Sequence, residues 1–419
     1  MRVFHFTNNP LSIDQIQTSG NNVNGGSGWT SVLLGRMLQV TDIKFACVAR
    51  GNVSRTEISQ NGRVVCFTIP GQRERCELEL CRDLIKDWQP DLIHIHGTEN
   101  PYGLLTARHM VSCPAVISMQ GLLGPCSEWY HYFGNRSLVD IFRMHRWLEF
   151  PAFRGHWMRF RKIRKAAKRE QEIIRGNNFY MGRTEWDRAY VYAHNPRANY
   201  FIENRMIREA FWQQRWDLER MQRHRIIFTN AYHPRKGTEL LLDAVKILQP
   251  RFPDIKMGIA GAISSRSGYG RYIRRRINEL APAVSELGQL NAQQMAEELI
   301  KSHVFVSPSF IDNSPNVVCE AQIVGMPVIS TYTGGVPSLI QDRRNGLFFP
   351  TGDAPMLAAR IREIFEDDEL AVNLGIQSRN IARQRHDPDL VLKQVLYVYD
   401  TVLKTFSIKQ DSHRDRSSR

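Results

Sequence analysis

A pattern of short apolar runs alternating with helix-like segments occurs twice in this 419-residue chain and limits the folds that it can adopt. In the first half, the strand-like runs are MRVFHF, IKFACVA, VVCFTI, DLIHIHG and PAVISMQG, with helix-like segments such as GWTSVLLGRML among them. In the second half, RIIFTNA, DIKMGIAG, HVFVSPS and PVISTY repeat the pattern. Such alternation predicts parallel sheets covered on both faces. We therefore predict an α/β fold of two Rossmann-like domains facing a central cleft.

The same pattern sets the expected domain boundaries. Residues 1–215 are predicted to form the first domain and residues 216–385 the second, with a charged and aromatic helical region from 138 to 222. Residues 386–406 are apolar at helical spacing and predict one long amphipathic helix. The polar tail 407–419 lacks the apolar residues that a core needs, so we expect it to be disordered.

The composition is that of a globular protein, with 42% hydrophobic residues and seven cysteines. The cysteines are odd in number and contain no C-x-x-C pair, which argues against a disulfide framework and against a zinc site. The N-terminus MRVFHFTNN has no apolar signal region, and no apolar run reaches the roughly 18 residues that a membrane-spanning helix needs. We expect a cytoplasmic protein in a reducing compartment.

Positive charge is concentrated in one segment. The formal net charge is +14, and residues 153–176 hold nine Lys or Arg against two Glu. One face of this segment is apolar at helical spacing and bordered by basic residues: Trp157, Phe160, Ile163 and Ala167. Such a helix suits an anionic membrane surface. The alternative is a helix docked on its own domain with a solvated charged face. Nucleic acid is not an expected partner, because no nucleic-acid-binding motif accompanies the charge.

The stretch PSFIDNSPNVVCEAQIVG, residues 308–325, places two carboxylates, Asp312 and Glu320, on either side of an apparent helix start. Ser314 is a good N-cap, and Pro315 suits the first helical position because its missing N–H would be unpaired there. The following apolar residues recur at helical spacing. We predict a helix that begins between the two acids.

The start of that helix is a candidate anion site. The N–H groups of Asn316 and Val317 lie in its first turn, where a helix offers them no partner. Together with the positive end of the helix dipole, they suit a diphosphate. Asp312 would then lie beside a sugar, and Glu320 beside a ribose diol. The alternative is a capped core helix with two solvated acids.

Two further loops follow predicted strands at the edge where doubly wound sheets bind ligands. In NGGSGW, Gly25 and Gly26 let backbone N–H groups approach a ligand, although their spacing is not the G-x-G-x-x-G of a dinucleotide site. In NAYHPRKG, Arg235 and Lys236 precede a helix, where a fixed cation suits phosphate. An ordinary flexible turn and a solvated basic turn are the alternatives.

Two weaker candidates complete the set. Gly334 and Gly335 form a turn after PVIS, which either approaches a bound ligand closely or only joins a strand to a helix. His94 and His96 alternate along one predicted strand, so both face the same side. His96, which is nearer the strand end, is the site candidate of the pair, with a satisfied core role as the alternative.

Residues 304–353, VFVSPSFIDNSPNVVCEAQIVGMPVISTYTGGVPSLIQDRRNGLFFPTGD, resemble the donor-site signature of the retaining GT-B glycosyltransferases of group 1 (family 4 type). This family includes hexosyl- and mannosyltransferases of surface-polysaccharide assembly. The likeness consists of the acid-x7-acid motif followed by G-x-P-V-I, G-G-x-P and N-G-L-x-x-P-x-G-D. The resemblance extends to PDLIHIHG, NGGSGW and the RKG loop. It also includes the final helix, which crosses back to the first domain in that family.

The resemblance implies a role for each matching residue. Glu320 would bind the ribose of the nucleotide, and Asp312 would contact hydroxyls of the donor sugar. The N–H groups near Asn316 and Val317 would hold the diphosphate, and Lys236 would stabilise it as it leaves. The other predicted site residues are Arg235, Gly334 and Gly335 on the donor side, and Gly25, Gly26, Gln120 and His96 on the acceptor or phosphate side.

Three positions depart from the family pattern. The first acid is usually Glu and is Asp312 here, one methylene shorter, which changes its reach to the sugar. The Arg that usually lies five or six residues before the loop Lys is replaced by Ala231 or Asn230. The usual His-Gly after the strand PAVISM reads Gln120-Gly121, and Gln can hydrogen-bond a sugar hydroxyl but cannot carry a charge.

The resemblance implies a hexosyltransferase that moves a sugar from a nucleotide-diphosphate sugar to a hydroxyl of a glycan or lipid-linked saccharide, with retention. No metal or other cofactor is expected, and residues 153–176 would contact the inner face of the plasma membrane. The alternatives are a GT-B sugar-nucleotide epimerase or phosphorylase and a non-catalytic nucleotide-sugar-binding protein. A dehydrogenase is disfavoured by the missing G-x-G-x-x-G.

Overall fold

The computed structural model describes residues 1–18, 28–134, 139, 150–231, 233–264 and 268–417, with side chains at all of these except 150–156 and 409–417. The predicted site residues Gly25 and Gly26 lie outside the described residues. The chain forms two mostly parallel sheets, one in each half. This confirms the predicted α/β class with two Rossmann-like domains.

Eight strands form the first sheet: β1 (Arg2–Phe6), β2 (Lys44–Gly51), β3 (Arg55–Ile58), β4 (Val64–Pro70), β5 (Leu92–His96), β6 (Ala115–Ser118), β7 (Phe179–Gly182) and β8 (Asn199–Ile202). Their order is β3-β4-β2-β1-β5-β6-β7-β8, and only β3 is antiparallel to its neighbour. The order reverses between β1 and β5. Doubly wound sheets bind ligands at such a switch point, outside the carboxyl ends of the strands.

The second sheet has the strands β9 (Arg225–Thr229), β10 (Lys256–Ala260), β11 (Val284–Gly288), β12 (Val304–Ser307), β13 (Val328–Thr331) and β14 (Leu347–Phe349). All are parallel, in the order β11-β10-β9-β12-β13-β14. Here the switch point lies between β9 and β12. The chain leaves β9 toward Lys236 and leaves β12 toward Asp312, so the topology brings these two loops together.

The described α-helices of the first domain and the connection are α1 (Ile13–Gln17), α2 (Gly28–Val40), α3 (Glu74–Trp88), α4 (Leu104–Ala107), α5 (Leu123–Cys126), α6 (Trp129–Phe133), α7 (Phe150–Gly176), α8 (Glu185–His194) and α9 (Glu209–Trp212). Those that follow are α10 (Thr238–Leu248), α11 (Gly268–Glu279), α12 (Ala292–Lys301), α13 (Asn316–Val324), α14 (Ala354–Glu366), α15 (Asp368–Arg385) and α16 (Pro388–Ser417). Short 3₁₀ helices span Pro101–Gly103, Pro234–Lys236 and Val336–Ser338.

The prediction that residues 138–222 are helical was wrong where β7 and β8 occur. Each strand has only four residues, and β7 is buried on both faces. A short strand buried on both faces shows no alternation of polar and apolar residues, so periodicity could not reveal it.

Packing places the domain boundary before the predicted residue 215. Ile207, Phe211 and Trp216 belong to the hydrophobic core of the second domain. These side chains are buried because they pack against the apolar surface of the second sheet and its helices. The connection therefore lies between the end of β8 at Ile202 and Ile207.

The final helix α16 packs against the first sheet, as the resemblance implies. Its buried residues join the core formed with β1, β2 and α2, and they are Val391, Leu392, Val395, Val398, Tyr399 and Val402. The helix continues to Ser417, so the disorder predicted for residues 407–419 was wrong for residues 407–417. A helix that is already nucleated and anchored can be extended one residue at a time.

The chain thus crosses between the domains twice, and the two crossings contact each other. The Nδ1 of His386 lies 2.8 Å from the carbonyl oxygen of Arg205. The N–H of Asn204 donates to Oε1 of Gln394 at 3.2 Å. The domains are joined by two adjacent segments instead of one.

A buried histidine cluster anchors Tyr399 of α16. The Nδ1 of His94 lies 2.6 Å from the Tyr399 hydroxyl, its Nε2 lies 2.7 Å from Oγ of Ser118, and Nδ1 of His5 lies 3.1 Å from Nε2 of His96. Ring nitrogens of the three histidines lie within 4.8 Å of one another, a spacing that could hold a metal ion. However, these hydrogen bonds already engage four of the six nitrogens, and burial lowers the pKa of His5 to about 3. We interpret the cluster as a neutral, hydrogen-bonded part of the core.

Candidate active site

A cavity of about 600 Å³ lies between the carboxyl ends of the two sheets. Its wall on the first domain includes Trp29, Glu99 and Gln120. Its wall on the second domain includes Arg235, Lys236, Asp312, Asn316, Val317 and Glu320. The structure therefore brings most of the sequence-predicted donor residues together, opposite Gln120.

Asp312 and Lys236 form an ion pair in this wall. Nζ of Lys236 lies 2.5 Å from Oδ2 of Asp312, and the N–H of Asn313 donates to Oδ1 at 3.1 Å. Burial favours a higher pKa for the Asp312 carboxyl, but Lys236, with further help from Arg235, outweighs it and holds the pKa below its usual range. Asp312 is therefore a fixed carboxylate, and Lys236 is a cation in a defined position.

The loop that carries Lys236 is pressed against the strand end that carries Asp312. Gly237, which follows the 3₁₀ turn, has φ 69°, in the left-handed region. A Cβ at this position would lie 2.0 Å from the carbonyl oxygen of Pro308, so the close approach requires glycine. The N–H of Phe310 also donates to the carbonyl of Arg235 at 2.7 Å. Backbone contacts thus set the distance between the lysine and the aspartate.

The helix after Asp312 begins one residue later than predicted. α13 starts at Asn316 with Pro315 as its N-cap, and the predicted N-cap Ser314 lies one position too early. The carbonyl of Ser314 instead accepts from Nη1 of Arg205 at 3.2 Å, which ties this loop to the connection between the domains. Asn316 and Val317 line the cavity, so the positive end of the helix dipole lies at its wall.

Glu320, one turn into α13, is only 5% exposed and forms an ion pair with Arg208. Nη2 of Arg208 lies 2.8 Å from Oε1 of Glu320. The Arg208 side chain rests on Gly28, where a Cβ would lie 2.9 Å from its Cδ. Sequence reasoning missed Arg208, because a partner 112 residues away leaves no local signal. The alternative reading of solvated acids was wrong, since Glu320 and Asp312 are each held by a cation.

Glu99 is a cavity residue that the sequence reasoning also missed. Its Oε1 accepts from the N–H of Gly121 at 3.1 Å, and its Oε2 accepts from Nδ2 of Asn8 at 3.2 Å. The same Nδ2 lies 3.4 Å from Oε1 of Gln120. Burial raises the pKa of the Glu99 carboxyl, and these hydrogen bonds partly offset the rise. Its position just after β5, at the switch point of the first sheet, is the signal that could have identified it.

The acids of the cavity differ in how they are held. Asp312 pairs with Lys236 and Glu320 with Arg208, whereas Glu99 has no ion-pair partner within the part of the chain that the structure describes. A carboxylate held by amide donors keeps further lone pairs that can accept hydrogen bonds from hydroxyl groups.

Three predicted residues lie behind the wall instead of lining the cavity. A Cβ on Gly334 would lie 2.1 Å from the carbonyl oxygen of Asp312, and the N–H of Gly335 donates to that oxygen at 3.0 Å. Both glycines therefore support the Asp312 loop. His96 is 1% exposed and packs edge-on against Trp29, with ring centroids 5.5 Å apart, so it takes the core role.

The basic helix α7 docks on its own domain through its apolar face. Phe160 is buried together with Tyr132 and Phe133 of α6. Trp157, predicted to lie on the same apolar face, is 39% exposed. The exposed basic side chains described in this helix are Arg159, Arg161, Lys162, Arg164, Lys165, Lys168 and Arg175. Because the apolar face is packed against the protein, contact with a membrane would have to be made by this charged face. In the described ranges, no helix combines the length and the apolar character needed to cross a bilayer.

Two family models match the chain. Residues 210–381 match the model of glycosyl transferases group 1, and residues 23–130 match a glycosyl transferase 4-like model. A phosphatidyl-myo-inositol mannosyltransferase of Mycolicibacterium smegmatis is 31% identical over 180 residues, which cover 42% of this chain and 45% of that protein. A D-inositol 3-phosphate glycosyltransferase of Pseudarthrobacter chlorophenolicus is 28% identical over 154 residues, 36% of each chain. The matches span less than half the length of these curated relatives.

Solved structures resemble the chain over nearly its full length. Sucrose-phosphate synthase from Thermosynechococcus elongatus superimposes with a TM-score of 0.73 at 16% identity, covering 96% of this chain and 99% of the synthase. HepE of Anabaena, solved in complex with UDP-glucose, gives 0.66 at 13% identity, covering 96% and 100%. At these identities the likeness shows the fold alone, the GT-B arrangement of two facing domains.

Proposed function

This chain belongs to the group 1 glycosyltransferases with the GT-B fold, and on that premise we propose that it transfers a sugar from a nucleotide-diphosphate sugar to a hydroxyl group. The observation that carries the proposal is the ion pair of Asp312 with Lys236 beside the start of α13, inside the cavity between the domains. A cation, a helix N-terminus and two carboxylates share one wall. This set matches the diphosphate, the sugar and the ribose of such a donor.

In the proposed complex, the diphosphate lies at the N–H groups of Asn316 and Val317, with Lys236 beside it. Glu320 accepts hydrogen bonds from the ribose diol, and Asp312 accepts them from hydroxyls of the donor sugar. The buried ion pair with Arg208 orients the Glu320 carboxylate. Lys236 already has a fixed position before the donor arrives, which favours catalysis because little reorganisation is left for the reaction.

The proposed reaction retains the anomeric configuration. The bond between C1 of the sugar and the diphosphate oxygen breaks, and the acceptor oxygen bonds to C1 on the same face. The proton of the acceptor hydroxyl passes to the departing diphosphate oxygen. The protein contributes positioning, and it stabilises the growing diphosphate charge through Lys236 and the helix start. We propose that this charge is balanced without a metal, so turnover should persist in EDTA.

The proposed acceptor is a hydroxyl of a glycan or of a lipid-linked saccharide, in the assembly of surface polysaccharide. Gln120 and Glu99 offer hydrogen-bonding groups on the first domain. They lie opposite the donor wall, which is the cavity wall formed by Arg235, Lys236, Asp312, Asn316, Val317 and Glu320. Both relatives named above act, by their names, on inositol-containing compounds, and a polyhydroxylated acceptor suits this wall as well. A sugar-nucleotide epimerase would instead give product from the donor alone, so donor without acceptor is the control reaction.

The proposed place of the reaction is a membrane surface with anionic lipids. The exposed basic face of α7 offers the charge, and exposed Trp157 and Met158 lie at its edge. Co-sedimentation with phosphatidylglycerol vesicles, but not with phosphatidylcholine vesicles, is expected at low salt. Replacing Arg161, Lys162 and Lys165 by Gln should abolish it. Equal sedimentation of this variant and the wild type would remove α7 from the proposal.

The experiment that tests the function is a thermal-shift panel of nucleoside diphosphates and nucleotide sugars. A ligand that binds only the native state raises the melting temperature by mass action. We expect a shift with one base, weakened in Glu320→Ala, and the responding donor then enters an acceptor screen. No shift with any donor would overturn the assignment of the donor site.

A further inference from the structure

Asn313, the residue after Asp312, joins the two domains through its side chain. Its Nδ2 donates to Oδ2 of Asp187 at 2.9 Å and to the carbonyl of Gln120 at 2.8 Å. Its Oδ1 accepts from Oγ1 of Thr184 at 2.6 Å. All three partners belong to the first domain, and Asn313 is only 4% exposed. One amide of the second domain thus directs both its donors and its acceptor at the other domain.

The same residue is tied to the donor wall. Its backbone N–H donates to Oδ1 of Asp312, the oxygen that does not contact Lys236. Beside it, a Cβ on Gly335 would lie 2.7 Å from Cγ2 of Thr184 and 2.5 Å from the carbonyl oxygen of Asn313, so this corner is packed backbone against side chain. A shift of Asn313 relative to the first domain therefore moves the Asp312 carboxylate.

The partners of Asn313 in the first domain are themselves fixed. Thr184 caps α8 by accepting from the N–H of Asp187 at 3.1 Å, and Asp187 is fully buried. The N–H of Glu185, the first residue of α8, donates across the domain boundary to Oγ of Ser338 at 3.0 Å. The start of α8 is thus a hydrogen-bonded surface against which the loop that follows β12 packs.

We propose that Asn313 is a positioning residue, which couples contact between the two domains to the placement of Asp312 against the donor sugar. The inference rests on the proposed function, in which Asp312 binds that sugar. While the domains touch at Asn313, the Asp312 carboxylate has one position. When they separate, water replaces the three hydrogen bonds, and the Asp312 loop loses its outer support.

The first test measures domain contact without any substrate. Hydrogen exchange of the segment 183–188 is followed in the wild type, in Asn313→Ala and in Asn345→Ala. Asn345 is the matched control, because it is 1% exposed and its hydrogen bonds to described residues stay within the second domain, to Leu339 and Gln341. Losing one hydrogen bond shifts the equilibrium between domain contact and separation by about fivefold. We therefore expect the amides of 183–188 to exchange at least about fivefold faster than in the wild type in Asn313→Ala, and at the wild-type rate in Asn345→Ala. Equal exchange in all three proteins would overturn the coupling.

The second test separates positioning from donor binding. Asn313→Ala should lower kcat by about 30-fold while the KM for the donor changes by less than about threefold, because the donor contacts at Lys236 and Glu320 remain. Asn313→Asp should open the contact further, since its carboxylate would face that of Asp187. An unchanged kcat, or a rise in donor KM that accounts for the whole effect, would contradict the proposal. If the protein transfers no sugar at all, the exchange experiment still decides the role of Asn313.

Discussion

The two walls of the cavity are built in different ways. The donor wall holds its charges in pairs, Lys236 with Asp312 and Glu320 with Arg208, next to a helix start. The opposite wall presents the amide of Gln120 and the carboxylate of Glu99, which amide donors hold in place. A diphosphate requires fixed positive charge, whereas hydroxyl groups require only hydrogen-bonding partners. The difference supports the proposal that the diphosphate binds at the donor wall and hydroxyl groups bind at the opposite wall.

The largest effect is expected at Lys236, the cation of the donor wall. Lys236→Met keeps most of the side-chain volume but removes the charge proposed to stabilise the departing diphosphate, so kcat should fall by about 1,000-fold. Steady-state turnover measures it, with Lys246→Met, an exposed lysine of α10, as the matched control. A turnover within threefold of the wild type would mean that the leaving group does not lie at this wall.

A smaller loss is expected at Glu320. Glu320→Gln keeps the shape but leaves the Arg208 charge uncompensated and weakens the acceptor for the ribose diol, so kcat/KM for the donor should fall by about 30-fold. The KM for the acceptor should stay unchanged, and the exposed Glu279→Gln serves as the control. Loss of acceptor affinity alone would place the ribose elsewhere.

The opposite wall predicts a smaller effect with the reverse selectivity. Glu99→Gln preserves an oxygen for the N–H of Gly121 but removes the negative charge that accepts hydrogen bonds from hydroxyl groups. We expect the KM for the acceptor to rise by about tenfold, with the donor KM unchanged. If the donor KM rises and the acceptor KM does not, Glu99 belongs to the sugar-donor site and the contrast between the walls disappears.

The smallest effect concerns stability and pH. In the wild type, Lys236 holds the pKa of Asp312 low, so its contribution to stability is present above the unfolded pKa of about 3.9 and is lost as the pH falls through the folded pKa. In Lys236→Met, we expect burial to outweigh the remaining effects of Arg235 and of the Asn313 N–H and to raise the pKa of Asp312, so the sign reverses: stability is lost as the pH rises from about 4.

Melting temperatures measured from pH 4 to pH 7 test this reversal. Lys236→Met should melt about 2–6 °C below the double variant Lys236→Met, Asp312→Asn at pH 7, and the gap should close toward pH 4. A gap that does not depend on pH would show that the Asp312 carboxylate is solvated in the variant, and that its burial depends on the lysine.

Much of the donor wall could be predicted from the sequence, because its residues lie in two short segments that each follow a strand. The resemblance of residues 304–353 supplied the proposed roles, and parallel-sheet topology explains why the Lys236 and Asp312 loops meet. The errors there were local: the helix begins at Asn316 with Pro315 as its cap, and Gly334 and Gly335 support the loop from behind.

The rest of the site could not be predicted, because it depends on pairs that are far apart in sequence. Arg208 reaches Glu320 across 112 residues, and Asn313 reaches Asp187 across 126. Neither pair has a spacing or periodicity that a single sequence reveals. The histidines of β5 show the converse: their alternation correctly predicted that His94 and His96 face one side, but only packing shows that this side is core.

The paired crossings at Arg205 and His386 have a mechanical consequence. A body attached at one point can swivel in every direction, but a body attached at two neighbouring points turns mainly about the line that joins them. The two domains should therefore rotate about a single hinge axis and should resist rotation about other axes. Movement along one arc brings the same atoms together at every closure, which a contact as specific as that of Asn313 with Thr184 and Asp187 requires.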